Sequence, residues 1–310
     1  MKKPRVVITG GSGLLALNWA CAMRSKWDVV LGTHLRSVEL AGTASCKLYI
    51  DDQVHLGLQL KQLSPDLVVH TAGLTNVDRC EEDPVLARQA NAMISQNVAQ
   101  ASASNDIKLI HISTDHLFAG DSRFYSENSP TQPLNEYARS KLLAEMWVQQ
   151  ACPQALIVRT NFFGWGYAQR QSFSDWIIYN LRAGKPLTLF DDVYVTPILA
   201  DFLALAAHEL AERGASGVFN AVGDDRLSKY EFALKLAKHF ALPAKLIQRD
   251  QVIHANLRAQ RPRDMSLDNA KAKNTLGRSL GHLDEHLAAL HAQEEQGRRM
   301  ELFHSVSESS

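Results

Sequence analysis

The chain has 310 residues, 45% of them apolar, with Lys plus Arg and Asp plus Glu balanced at 33 each. That length holds one large domain or two modest ones around a sizeable core. The balanced charge, with no long run of one sign, argues against a nucleic-acid groove or an anionic membrane surface and leaves a small molecule as the default substrate.

The four cysteines, Cys21, Cys46, Cys80 and Cys152, show no paired spacing, so neither a disulfide framework nor a metal site is expected and a reducing compartment is. The basic opening Met-Lys-Lys-Pro-Arg precedes too few apolar residues for a signal peptide, and no stretch is long enough to span a bilayer. A cytoplasmic location is therefore expected.

In chain order, Val6-Val7-Ile8 predicts the first strand. Thr9-Gly10-Gly11-Ser12-Gly13-Leu14-Leu15-Ala16 follows it directly and opens a helix over 13–24. Gly10, Gly13 and Ala16 fill a G-x-x-G-x-x-G/A spacing. Glycines there allow a tight turn and bring backbone N–H groups to a pyrophosphate at the positive end of a helix. Gly10, Ser12, Gly13, Leu14 and Leu15 are thus candidate dinucleotide contacts. A second strand, Val29-Val30-Leu31, ends in Gly32-Thr33-His34-Leu35-Arg36. No acid is present there to hold a ribose 2′-hydroxyl, whereas Arg36 suits a 2′-phosphate, which favours NADP(H) and leaves NAD(H) as the alternative.

The alternation continues with a strand at Leu48-Tyr49-Ile50, a helix over 53–63, a strand at Leu67-Val68-Val69 and a helix over 84–104. Then come a strand from Ile107 to Ile112, a loop rich in Pro, Ser and Asn, a helix over 135–150 and a strand at Leu156-Ile157-Val158. Continuous apolar strands alternating with helices predict an α/β fold, a doubly wound parallel sheet of Rossmann type. Past residue 163 the pattern changes to helices over 173–183, 198–212, 228–240 and 282–294 with short strands such as Gly217-Val218-Phe219. This predicts a smaller α/β substrate lobe at the carboxyl edge of the sheet, where open α/β sheets bind ligands. The division expected is 1–163 for the dinucleotide domain with 190–222 returning to it, 164–189 and 223–303 for the lobe, and a frayed polar tail over 304–310. Phe173, Trp176 and Tyr179 recur at helical spacing and are expected in the core. His208-Glu209-Leu210-Ala211-Glu212 ends in glutamate where a metal helix needs histidine, and reads as a surface helix.

Two further features carry chemistry. Tyr137 and Lys141 stand at i and i+4 in a predicted helix, so phenol and ammonium share a face. A neighbouring cation favours phenolate and is expected to lower the phenol's pKa, making Tyr137 an acid usable near neutrality. His111-Ile112-Ser113-Thr114-Asp115-His116 ends the fifth strand at the edge where a ligand should sit, and a hydroxyl there can bond a substrate carbonyl.

The glycine turn, Ser113-Thr114 and Tyr137/Lys141 together resemble the extended short-chain dehydrogenase/reductase family. Within it the resemblance is greatest to the dTDP-4-dehydrorhamnose reductases and covers nearly the whole chain. It runs through residues 65–78, Ile112 to Phe118, Tyr137 to Lys141, Arg159 to Gly164, Ser228 to Ala233 and Arg261-Pro262-Arg263 with Leu267-Asp268. The resemblance implies Tyr137 as proton donor, Lys141 as the group that holds the nicotinamide ribose and lowers the phenol's pKa, and Thr114 as the hydroxyl on the carbonyl. It implies cofactor contacts from Thr71, Ala72, Gly73 and Thr75, with Ile50 and Asp51 near the adenine. Asp115, His116, Asn161, Phe162, Trp165 and Arg263 are implied to approach the substrate.

The chain departs from that pattern in three places. Tyr49 stands where an aspartate is usual, His116 where tyrosine is usual, and Phe162 where tryptophan is frequent. A histidine at 116 disfavours sugar-nucleotide dehydratase chemistry, which needs an Asp-Glu pair there, and it is expected to be hydrogen-bonded in its loop. The implied activity is NADPH-dependent reduction of the 4-keto group of a nucleotide-linked 4-dehydro-6-deoxysugar. Sugar epimerases carry the same Tyr-x-x-x-Lys pair, and the non-catalytic beta subunit of methionine adenosyltransferase matches the same segments including Gln260 to Arg263, so both stay open. Helices 84–104 and 135–150 can pair into a homodimer in the family.

Overall fold

The computed structural model describes residues 2–308. Its centre is a seven-stranded parallel sheet, built from β1 (Arg5–Thr9), β2 (Asp28–Thr33), β4 (Ala44–Lys47), β5 (Leu67–His70), β6 (Lys108–Ile112), β7 (Leu156–Arg159) and β12 (Gly217–Asn220). β3 (Arg36–Val38) lies outside it. The spatial order is β4, β2, β1, β5, β6, β7, β12. After β1 the chain fills one side through β2 and then crosses to the other at β5, so the order reverses between β1 and β5. That reversal opens a crevice at the strands' carboxyl ends.

Period-two alternation distributes the apolar residues to both faces. Val6, Ile8, Leu31, Val69 and Ile110 face the layer containing α1 (Leu14–Met23) and α8 (Ala200–Glu212), where Trp19 and Leu203 are fully buried. Val7, Val30, Val68, Leu109 and Ile157 face α2 (Gln53–Leu63), α5 (Ile94–Ser104) and α6 (Glu136–Ala151). Both faces are covered, which is why the strands read as unbroken apolar runs.

Two expectations in this half need correction. The third strand occupies Ala44–Lys47 rather than 48–50. It is an exposed edge pairing only with β2, so its residues carry no apolar run, while Leu48 turns inward beside Gly32. The helix predicted over 84–104 follows a short α3 (Val77–Glu82) and is itself interrupted. It runs as α4 (Pro84–Arg88), a π turn over Gln89–Met93, and α5.

The rest of the chain builds a smaller layer over the carboxyl edge. β8 (Phe162–Phe163), α7 (Phe173–Arg182), β9 (Leu187–Phe190), β10 (Tyr194–Val195) and β11 (Ile198–Leu199) precede α8. β13 (Leu227–Ser228), α9 (Lys229–His239), β14 (Ile247–Asp250) and α11 (Leu283–Glu295) complete it, while α10 (Ala270–Leu276) packs on α8 and β12, and α12 (Arg298–Phe303) leads to β15 (Val306–Glu308). Two-stranded ladders β10·β13, β8·β11 and β9·β14 tie this layer together.

The terminal segment expected to fray instead forms β15, antiparallel to β3. Val306 is buried in the main core and Glu39 N donates to Ser305 O at 2.9 Å. One apolar side chain and a free edge strand are enough to hold a segment whose composition is polar. Residues 309–310 of that expected tail lie outside the described residues.

The aromatic stripe of α7 also differs from expectation. Phe173, Trp176 and Tyr179 are 38%, 37% and 49% exposed, because Ile177, Ile178 and Leu181 supply the inward face. His208 on α8 is likewise no surface residue. It is buried against Trp19, whose indole Nε1 donates to it at 2.9 Å.

Candidate active site

The glycine loop is shaped by contacts that leave no room for side chains. Gly10 has φ +70°, and a Cβ on it would stand 2.8 Å from the backbone of Ala72. A Cβ on Gly13 would meet Gly10 O at 2.9 Å, across the turn closed by Gly13 N donating to that oxygen at 2.7 Å. Thr9 and Thr71 lock the ends of β1 and β5 together. Thr71 Oγ1 donates to Thr9 O at 2.8 Å, and Thr9 Oγ1 pairs with His70 Nδ1 at 2.7 Å.

Helix α1 has Gly13 at its N-cap, with no side-chain cap and no acid in its first turn. Its leading N–H groups are therefore available to an anion at the positive end of the helix. A steric cradle of glycine together with an uncapped helix start fits the diphosphate of a dinucleotide.

This loop lines a cleft of about 340 Å³. The cleft gathers Gly10, Ser12, Gly13, Leu14 and Leu15, Arg36 after β2, and Ile50 and Asp51 beyond β4. It also gathers Thr71, Ala72, Gly73 and Thr75 beyond β5, and Tyr137 and Lys141 on α6. Asn97 Nδ2 donates to Asp51 O at 2.9 Å and fixes that wall. Arg36 Nη1 donates to Tyr167 Oη at 2.8 Å, and Arg170 Nη2 to Thr75 Oγ1 at 2.6 Å, so the 164–172 loop reaches across the cleft mouth at both ends.

Asn135 caps α6 by accepting from Ala138 N at 2.9 Å, which sets the helix start at Glu136, one residue before Tyr137. From there Tyr137, Lys141 and Glu145 stand one turn apart on a single buried face. Lys141 Nζ donates to Ile112 O at 2.7 Å, pinning the ammonium to the end of β6. Burial pushes the lysine down to about 8, with Glu145 opposing.

The expectation for the phenol is reversed. Burial pushes Tyr137 up to about 12; Asp115 and Cys80 push in the same direction, while the neighbouring Thr114 hydroxyl and Arg170 pull it back. Loss of hydration costs the phenolate more than the nearby positive charge returns.

Ser113 and Thr114 divide at this point. Ser113 Oγ donates to Glu145 Oε1 at 2.5 Å, and the same carboxylate takes Arg159 Nε at 2.9 Å and Nη2 at 2.7 Å. The serine hydroxyl is thus engaged below the cleft. Thr114 is the hydroxyl that neighbours the phenol, although only Ser113 of the two lines the cleft itself.

The substrate-side candidates scatter more widely. Asp115 is buried and accepts from Asn161 Nδ2 at 2.6 Å. Burial raises Asp115 to about 6, against hydrogen bonds from Asn161 and Thr114 and the charge of Lys229. His116 packs edge-on to the Tyr137 ring, centroids 5.5 Å apart. Its side chain is not hydrogen-bonded as expected. Nδ1 has no partner among the described residues, Nε2 lies 4.0 Å from Asp115 Oδ1, and burial pushes the imidazole down to about 3. Phe162 lines the cleft.

Trp165 does not approach it. It is fully buried, with Phe240 at 6.0 Å and the Arg299 guanidinium at 5.7 Å, because Asn18 Nδ2 holds its carbonyl from α1 at 2.7 Å. Arg263 is also outside the cleft, its side chain exposed and its carbonyl held by Tyr194 N at 2.7 Å.

A model of the RmlD substrate binding domain matches residues 4–295. The chain belongs to that family. A probable low-salt glycan biosynthesis reductase of Haloferax volcanii is 32% identical over 92% of this chain and 96% of its own. The dTDP-4-dehydrorhamnose reductase of Mycolicibacterium smegmatis is 34% identical over 74% of this chain and 67% of its own. Among solved structures, the dTDP-4-dehydrorhamnose reductase of Bacillus anthracis in complex with NADP superposes with a TM-score of 0.83 over 94% of this chain and 99% of that one. At 23% identity this likeness speaks for the fold.

Several residues of this RmlD-family site lay outside the sequence reading. Asn91, in the π turn, lines the cleft; its Oδ1 accepts from Leu74 N at 2.7 Å and its Nδ2 donates to Ser140 Oγ at 2.9 Å. A π turn that re-aims one side chain leaves no trace in apolar spacing. Tyr167 and Arg170 come from an irregular loop and carried no signal. Glu145 did carry one, since it continues the i, i+4 series of Tyr137 and Lys141.

Proposed function

We propose that this chain is an NADPH-dependent reductase of the 4-keto group of a nucleotide-linked 4-dehydro-6-deoxysugar. The observation that carries this reading is the buried face of α6 set against the end of β6, where Tyr137, Lys141 and Thr114 surround one site beside the glycine-lined cleft. Similarity to enzymes named dTDP-4-dehydrorhamnose reductase supports the substrate class.

The glycine loop and the start of α1 would hold the diphosphate of NADP(H), and Arg36 its 2′-phosphate. When bound, NADPH supplies the hydride. The chain's own residues govern the proton. The Thr114 hydroxyl donates to the carbonyl oxygen, and Tyr137, kept protonated by burial, gives its proton to the same oxygen as negative charge develops there. Lys141 then faces the phenolate left behind and favours it electrostatically.

The test follows nicotinamide absorbance with a panel of dTDP- and UDP-linked 4-keto sugars, using wild type and Tyr137→Phe. Removal of the acid lowers kcat by about 10²–10⁴-fold while NADPH binding, followed by fluorescence, stays close to wild type. Turnover of the variant at the parental rate, or a wild type inert toward every sugar, refutes the reading.

A further inference from the structure

A second cavity, of about 280 Å³, lies between the 164–172 loop, α7 and α12, with Gly166, Tyr167, Asp175, Tyr179, Arg299 and Phe303 among its walls. The loop parts it from the glycine-lined cleft, and Tyr167 lines both. That partition is held on all sides. Tyr167 N donates to Arg170 O at 3.0 Å and Arg170 N to Tyr167 O at 2.9 Å, Ala168 N donates to Phe303 O at 3.3 Å, and Gly166 N and Ser172 Oγ donate to Asp175 Oδ2.

Two polar groups in this cavity are not used up by the fold. Asp175 is only 7% exposed, and its bonds to Gly166 and Ser172 all fall on Oδ2. Oδ1 receives none among the described residues and is the oxygen left to the cavity. A withdrawn carboxylate oxygen without a donor is costly, so it calls for one from outside the chain. Arg299 carries five N–H donors and makes one bond, from Nη1 to Glu294 Oε1 at 3.2 Å. Glu294 is held more closely by Arg182, at 2.6 and 2.7 Å, so most of the Arg299 guanidinium is uncommitted. Beside these groups stand the part-exposed rings of Tyr179 and Phe303.

We propose that this second cavity is a binding site for a nucleobase, free or carried by an uncharged nucleoside. Its volume is at the low end for ligand pockets, which run to about 300–1,000 Å³; that suits a base or nucleoside and is too small for a dinucleotide. A base edge sets an N–H donor beside a carbonyl or ring-nitrogen acceptor. The donor meets Asp175 Oδ1, the acceptor meets Arg299, and the ring packs against Tyr179 and Phe303. Arg299 faces two carboxylates, Asp175 and Glu294, so the cavity offers no net positive charge to a phosphate. The site stands apart from the reductase reading and does not depend on it.

The experiment is calorimetric titration of adenosine, guanosine, uridine and thymidine, with L-tyrosine as an aromatic zwitterion, into the full chain saturated with NADP+, which closes the glycine-lined cleft to them. The proteins are wild type, Asp175→Asn, Arg299→Gln and Phe303→Ala. Asp175→Asn keeps an oxygen for Gly166 and Ser172 and turns an amide N–H to the cavity, while Arg299 and Phe303 are partly exposed and can be changed without unfolding the chain. At least one nucleoside is expected to bind wild type, with affinity falling about tenfold or more in Asp175→Asn and about fivefold or more in each of the other two. NADP+ affinity, titrated separately, stays close to wild type in Arg299→Gln and Phe303→Ala, which separates local loss from unfolding. A wild type that binds no nucleoside, wild-type nucleoside affinity in Arg299→Gln and Phe303→Ala, or binding of L-tyrosine alone overturns the proposal.

Discussion

The glycine-lined cleft and the floor beneath Tyr137 meet at Lys141 but are made of different materials. The cleft is mainly backbone: glycines at 10, 11, 13 and 73 that admit close approach, and an uncapped helix start. The floor is side chains withdrawn from water, with Ser113, Glu145 and Arg159 joined by bonds of 2.5–2.9 Å and Lys141 above them. A backbone site depends on the shape of one short segment. A buried polar floor depends on groups from three segments satisfying one another, and it fails when one is removed.

The largest expected effect separates the two regions. Glu145→Gln preserves shape but leaves Arg159 charged, buried and without its carboxylate, and should cost about 3–5 kcal/mol of stability, read as a lowered urea midpoint. Replacing both partners with apolar residues should recover much of that loss. An unchanged midpoint in the single variant would mean that the floor is not the brittle part. Next in size, Gly10→Ala should do the reverse. A side chain at φ +70°, pressed on Ala72, costs about 1–3 kcal/mol in strain. It also displaces the turn, so NADP+ affinity falls more than tenfold while the fold survives.

The same contrast governs what was legible in the sequence. Gly10, Gly13 and Ala16 announce their loop by spacing alone, and Tyr137 and Lys141 announce a shared face by standing four apart. The cleft accordingly contains every residue expected at the cofactor. The substrate side was less readable because its members come from separated segments and their orientation is decided by packing. Trp165 was drawn inward by Asn18, and Arg263 stayed outside. Periodicity finds a helix face but not which way it turns, so Phe173, Trp176 and Tyr179 took the outer side of α7 once Ile177, Ile178 and Leu181 filled the inner one. Edge strands such as Ala44–Lys47 and Val306–Glu308 bury too little on either side to leave a pattern.

The smallest effect tests how floor and cleft are coupled through Lys141. Its ammonium is held down to about 8 by burial, so it is charged below that pH and neutral above it. Tyr137, pushed up to about 12, keeps its proton throughout the same range. In the reducing direction kcat/KM should therefore be level below about pH 8 and fall above it by about tenfold per unit, and the group lost is the lysine rather than the phenol. Glu145 is the charge that favours protonated Lys141, so removing it should shift the falling limb to lower pH. If the limb begins only above about 10, the ordinary phenol range, the tyrosine governs it. If Glu145→Gln leaves the limb where it was, the floor supports the site mechanically and does not tune it.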